Sequence, residues 1–188
     1  LLAEATKIGV DWGYDEINLN VGCPSSRVSS GDFGAVLMKR KDHVAKCVDA
    51  MAQFSSNVPI SVKCRIAVDD QDPEKILPSF IKTVSNSGVS IFIIHARKAI
   101  LSGLSPKDNR KIPPIDYNLV KKIKAQFPKL EICLNGEIKD LSSVMNFIND
   151  GIDGCMIGRE VYKNPSKILE NADEKIFKKM DLSGKSKK

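Results

Sequence analysis

Residues 16–24, Glu-Ile-Asn-Leu-Asn-Val-Gly-Cys-Pro, hold the side chains best suited to chemistry. A thiol, Cys23, sits between two backbone breakers, Gly22 and Pro24, directly after a run of alternating polar and apolar residues. A period of two is the pattern of a strand, with Glu16, Asn18 and Asn20 on one face and Ile17 and Leu19 on the other. A carboxylate and two amides along a buried strand face need partners, so they are costly as plain core. The turn at Gly22–Pro24 lifts the thiol off the carboxyl end of the strand, where enzymes built on parallel strands carry reactive groups.

Four further stretches repeat this design. Residues 60–65 alternate, with Ser61, Lys63 and Arg65 opposite Ile60, Val62 and Cys64. Residues 90–96 are nearly all apolar until His95, with Arg97 two positions beyond. Residues 130–135 lead into Asn135-Gly136-Glu137, and residues 154–158 end on Gly158-Arg159. A lone histidine is ordinarily a satisfied core residue, but the strand-end position of His95, beside those of Lys63 and Asn135, favours function.

Helical patterns separate the strands. Residues 1–8 are amphipathic, with Gly9 opening a turn. Asp42 is placed to cap a helix whose apolar face is Val44, Cys47, Val48 and Met51. A helix from about Glu74 to Ser87 ends at Gly88, with Pro78 in its first turn or kinking it. Asp116 caps a helix to Phe127, and Asp140 caps another that stops at Gly151. The irregular residues 98–115 are long enough to suggest a functional loop.

Strands alternating with helices, and no hairpin signal, imply a parallel sheet of right-handed βαβ units. An open doubly wound sheet would carry a GxGxxG turn after its first strand, and none is present. An eight-stranded (β/α)8 TIM barrel explains the ring of polar strand ends and the two glycine turns late in the chain, where such barrels bind phosphate. A full barrel takes about 250 residues, so five strands correspond to its C-terminal five βα units, with three strands missing from the amino end. The chain also lacks an initiator Met and opens inside a helix, as a piece of something longer would.

The bulk composition fits this picture. The 188 residues are 42% hydrophobic and 28% charged, which suits one soluble globular domain. No apolar run is long enough to span a membrane. The five cysteines are odd in number and widely spaced, with no CxxC pair, which argues for a reducing compartment such as the cytoplasm or an organelle interior. His43 and Cys47 have the spacing of two metal ligands on one helix face, but nothing nearby completes a site, so no metal is expected. A net charge of +6 and a pI near 9.0 suit a lysine-rich surface kept soluble by its charge, which charge alone favours over the sharper alternative of a polyanionic partner such as RNA. Lys121, Lys122 and Lys124 read as a solvated helix face. Cys47, Cys64 and Cys155 read as core, and Cys133 as barrel filler.

Together these stretches resemble the tRNA-dihydrouridine synthases, flavin enzymes that reduce uridine in the D-loop of tRNA. The resemblance rests on residues 16–24, on Val62-Lys63-Cys64-Arg65, on Ile94-His95-Ala96-Arg97-Lys98, on Asn135-Gly136-Glu137-Ile138 and on Gly158-Arg159, in family order. The loop Leu101-Ser102-Gly103-Leu104-Ser105-Pro106-Lys107-Asp108-Asn109-Arg110 is similar to the A-type branch.

The resemblance implies roles residue by residue. Cys23 would be the general acid; a thiol with a pKa near 8.5 is mostly protonated at neutral pH and so able to give a proton. Asn20 would position uracil and flavin, and Lys63 and His95 would meet the flavin ring or its ribityl chain. Asn135, Gly136, Glu137, Gly158 and Arg159 would surround the FMN phosphate, with Glu137 standing where A-type members usually carry Gly. Arg27, Arg97, Lys98 and Arg110 would contact RNA. FMN is the implied cofactor, NADPH or NADH the reductant and tRNA the partner. Residues 1–175 would then be part of an FMN-binding barrel, and 176–188 a basic, disordered tail leading to a helical RNA-binding domain. The rival readings are another flavin barrel acting on a free pyrimidine, in the manner of a dihydroorotate dehydrogenase, and an RNA-binding remnant without flavin.

Overall fold

The computed structural model describes residues 1–170 and 172–176. Its centre is a five-stranded, all-parallel sheet in the order β1-β2-β3-β4-β5, formed by Ile17–Val21, Ile60–Arg65, Ile91–His95, Glu131–Asn135 and Gly154–Met156. The strands succeed one another without reversal, so the sheet has no switch point of the doubly wound kind. Helices α1 (Leu2–Asp11), α2 (Ser26–Ser29), α3 (Lys41–Ala52), α4 (Pro73–Ser85), α5 (Tyr117–Gln126), α6 (Leu141–Asn149), α7 (Arg159–Lys163), α8 (Pro165–Leu169) and α9 (Ala172–Lys175) follow or precede the strands. Successive helices pack side by side, α1 on α3, α3 on α4 and α4 on α5. The tail expected at 176–188 lies, apart from Ile176, outside the described residues.

The core forms between helices and one face of the sheet. Val62 and Cys64 of β2, Phe92 and Ile94 of β3, and Ile132 and Leu134 of β4 are all fully buried, as are Leu77, Phe80, Ile81 and Val84 of α4. These strand residues recur every second position, so the intervening ones face the other way. The opposite face therefore carries Lys63, Arg65, His95, Cys133 and Asn135, and the fold spends its apolar alternation on the core in order to present them.

Several local expectations need correction. Glu16, Asn18 and Asn20 are exposed on the strand edge rather than buried, and Glu16 and Asn18 each bond the Ser61 hydroxyl of β2. Gly9 opens no turn but lies inside α1, where a Cβ would stand 2.5 Å from Ile17 Cδ1; the missing side chain serves close packing of helix on strand. The helix instead stops before Gly13, whose φ of +78° favours glycine. Asp42 caps nothing: the 3-10 run Gly34–Lys39 leads almost directly into α3, Arg40 O accepts from Val44 N, and Asp42 falls in the first turn. Pro78 lies inside α4, while Pro73 takes the helix start and the Asp72 carboxylate accepts from Glu74 N. By contrast, Asp116 and Asp140 cap α5 and α6 as expected, accepting from Leu119 N and Ser143 N.

Candidate active site

Sheet register aligns the polar strand ends into two rows. Asn20 pairs with Lys63, and Lys63 with Ile93; one step onward Arg65 pairs with His95, His95 with Asn135 and Asn135 with Met156. Neighbouring parallel strands run about 4.8 Å apart, so each row is a line of side chains at near-contact spacing. Lys63 Nζ reaches across to Asn135 Oδ1 at 3.3 Å, and Asn135 Nδ2 donates to Met156 O at 2.8 Å. The amide thereby spans β2 to β5 at the carboxyl edge of the sheet.

These rows floor a cleft of about 850 Å³ lined by Asn18, Asn20, Gly22, Cys23, Lys63, Arg65, His95, Asn135, Gly136, Glu137, Gly158 and Arg159, with Arg110, Lys111, Lys139 and Lys163 at its rim. Small-molecule sites run to about 300–1,000 Å³. Seven of the lining residues are Lys or Arg and only Glu137 and Glu160 are acidic, so the cleft suits an anion.

Cys23 is held on its turn from both sides. Asn20 Oδ1 accepts from Gly22 N at 3.0 Å, Arg65 Nε donates to Gly22 O at 3.2 Å, and Cys23 O accepts from Ala35 N at 2.8 Å. Gly34, at φ +71°, is needed here: a Cβ would fall 2.5 Å from Cys23 O. Cys23 is half-buried and lines the cleft. Burial pushes the thiols of Cys64 and Cys133 up to about 12 and that of Cys155 up to about 11, which leaves those three protonated and unreactive.

Electrostatics set the other roles. Burial, reinforced by Arg65, Lys63 and Arg97, pushes His95 down to about 3, so its imidazole is neutral at physiological pH and offers one donor and one acceptor nitrogen. Burial first, then Arg65, lowers the Lys63 ammonium. Burial and Arg110 lower Arg65 to about 10, still a cation at neutral pH. Gly136 turns the chain under His95 with φ +126°, and a Cβ there would sit 2.9 Å from His95 Cδ2 and 3.1 Å from Ile115 Cδ1. No side chain would fit there, so the buried Gly136 turn meets the cleft with backbone alone, and Tyr117 Oη fixes the turn by donating to Gly136 O at 2.7 Å.

Not every expected residue lies at the cleft. Arg27 is exposed on α2, and Lys98 is half-buried with its carbonyl bonded to Arg65. Arg97, expected to contact RNA, is 4% exposed; its guanidinium is turned inward to Glu137 and two carbonyls and presents no face to a large ligand. Two residues to which sequence reasoning assigns no role hold loop 98–115 beside the cleft. Arg65 joins Gly22 O, Lys98 O and Asn109 O, tying the thiol turn to loop 98–115; its place opposite Cys64 in the alternation is the signal for it. Asn109, fully buried, exchanges bonds with Ile100 N and O and with Leu104 O and Ser105 O. No pattern marks such a residue inside a polar loop. Among the described residues no cluster of ligands could hold a metal, and no helix is long and apolar enough to cross a membrane.

The fold and site together define a parallel α/β protein with an anion-attracting cleft and a positioned thiol at its strand ends. The chain belongs to the dihydrouridine synthase family, which it matches across residues 1–188. It is 48% identical over 182 residues to the tRNA-dihydrouridine(20/20a) synthase of Synechocystis, covering 97% of this chain and 54% of that protein. To the protein of the same name from Escherichia coli K12 it is 52% identical over 181 residues, covering 96% and 52% respectively. The chain thus spans about half the length of these curated relatives. The BexX/CysO complex of Amycolatopsis orientalis shares the fold at a TM-score of 0.56 and 11% identity, over 93% of this chain and 58% of that one.

Proposed function

We propose that the chain supplies the catalytic cleft of an FMN-dependent tRNA-dihydrouridine synthase, which reduces uridine in the D-loop of tRNA to 5,6-dihydrouridine with NADPH or NADH as reductant, in the cytoplasm. The five strands are read as the C-terminal part of a (β/α)8 barrel, a reading supported by their unreversed order and by function-bearing carboxyl ends. One observation carries the functional reading: Cys23 shares a single cationic cleft with the Lys63–Asn135 pair, neutral His95 and the Gly136 cradle.

The residues fit the cofactor. The bare backbone at Gly136 and the Arg159 side chain suit the phosphate of FMN, and Asn135 and Gly158 stand beside them. Lys63, its ammonium desolvated by burial, would sit against the ring system and favour negative charge there. His95, uncharged, orients without competing for that charge. When bound, the flavin supplies hydride to C6 of the uracil.

The chain's own groups then place the base and finish the reaction. Asn20 presents an amide at the strand end nearest the thiol turn, suited to the uracil edge. Cys23, half-buried beside the cleft, would deliver a proton to C5 and be replenished from solvent. Arg110, Lys111, Lys139 and Lys163 at the rim are suited to RNA phosphates.

The test is Cys23→Ala in the full-length protein. It should retain flavin and melting temperature while dihydrouridine formation in undermodified tRNA falls by about 100- to 10,000-fold, the usual loss when a general acid goes. Product is read by mass spectrometry after pre-reduction, with free uridine and free pyrimidine bases as parallel substrates. Near-parental turnover would remove Cys23 from the mechanism, and activity on the free bases alone would reassign the substrate.

A further inference from the structure

Arg97 is a buried cation with an incomplete set of partners. Its Nη1 donates to Lys111 O at 3.2 Å and to Pro113 O, its Nη2 meets Glu137 Oε1 at 2.9 Å, and its Nε has no partner. Among the described residues, Glu137 is the carboxylate that pairs with it. The carboxylate itself is more open, at 38% exposure, so the pair spans from the interior to the cleft wall.

Glu137 also occupies an awkward backbone position. Its φ is +51°, in the left-handed region where an L residue is disfavoured and glycine is not. Such a conformation persists where the surroundings over-determine it. Here Gly136 is pinned through its carbonyl by Tyr117, Asn135 O accepts from Ala96 N, and the Glu137 side chain is pulled towards Arg97.

We infer that Glu137 is a positioning residue that, through Arg97, couples the turn after β4 to the far limb of loop 98–115. The carbonyls held by Arg97 belong to Lys111 and Pro113, directly beyond Arg110, and both Arg110 and Lys111 line the cleft rim. The turn that would receive the cofactor phosphate and the loop that would receive tRNA are therefore one mechanical unit. The purpose assigned to the loop rests on the function proposed above; the coupling itself does not.

Two substitutions separate charge from backbone. Glu137→Gly relieves the left-handed residue but strips the anion from a buried guanidinium, and loss of one partner from a buried pair is costly because the remaining charge is uncompensated. Glu137→Gln keeps the length of the side chain and removes only the charge. In the full-length protein, both should raise hydrogen exchange at the non-proline amides of residues 104–112 by roughly tenfold, since local opening sets that rate. Compared at equal bound flavin, both should raise KM for undermodified tRNA about tenfold with a smaller fall in kcat, the pattern of weakened positioning rather than lost chemistry. Glu137→Asp, which restores the carboxylate on a shorter stem, should recover part of both effects.

Parental exchange and KM in Glu137→Gly would overturn the proposal, because the backbone alone would then account for the residue. If Glu137→Gly fails to fold, parental exchange in Glu137→Gln overturns it equally. If no form turns over tRNA, the functional reading falls, while the exchange measurement still decides the coupling.

Discussion

His95 shows how a single side chain in this cleft is tuned by its register partners. Arg65 flanks it across β2, Asn135 across β4, and the Gly136 backbone passes beneath its ring. Burial first, and then four nearby cations, leave its pKa at about 3, against an ordinary value of 6.5. The folded protein therefore refuses a proton that the unfolded chain accepts below about pH 6.5. Stability must fall as pH drops from 6.5 towards 3, by up to about 2 kcal/mol between pH 6.5 and 5 for one such group. The carboxylates held low in the fold, Asp69 and Asp140, add their own losses only at more acid pH. In flavin-free protein, thermal denaturation at pH 7, 6 and 5 should show this slope, and His95→Asn should flatten it. A parental profile as flat as that of the variant would mean that the imidazole is solvated and free to charge.

At the scale of elements, the caps distinguish what the sequence can say from what it cannot. Asp116 and Asp140 each precede an apolar 3.6-residue pattern and each accepts a backbone N–H, so both are legible. Asp42 precedes an equally clear pattern and caps nothing, because the 3-10 run before it brings the helix N-cap to Arg40 and hydrophobic spacing is blind to that run. Asp116→Ala should therefore cost about 1 kcal/mol of stability, and Asp42→Ala less than about 0.5 kcal/mol. Urea unfolding of the two variants against the parent checks this; equal losses would restore Asp42 as a cap. The bounds of β2 are legible for the same local reason, since alternation and the Asn57–Pro59 punctuation are both near neighbours in sequence. Loop 98–115 is legible only as a loop: the roles of Asn109, Arg65 and Arg97 depend on partners that topology alone brings together. Gly9 misleads for a related reason, its use being set by Ile17 across a helix–strand contact.

Across the whole molecule, the all-parallel sheet leaves β1 and β5 each with one strand neighbour among the described residues. An unpaired edge presents a row of N–H and C=O groups that template pairing with another chain. Next to β1 the surface is also apolar: Ile8 of α1 and, just beyond it, Trp12 and Tyr14 are 57%, 80% and 63% exposed. Exposed apolar residues are unremarkable singly, but these follow one another into the edge strand and would be buried by any element seated there. The polar inner face points the same way, since Glu16, Asn18 and Asn20 are open where a closed barrel would enclose them. The net charge of +6 opposes association only weakly, because charges at the cleft rim and on α5 lie on other surfaces and are screened within about 10 Å at ordinary salt. The 188-residue chain by itself should therefore associate at concentrations above roughly 10 µM, in the range where unpaired edges drive aggregation. Light scattering against concentration is the measurement, and Trp12→Lys, which charges the rim of that edge, should shift the onset upward. A monodisperse monomer at about 100 µM, unaffected by the substitution, would show that the edge is satisfied within the chain and would remove the main support for reading five strands as part of a larger barrel.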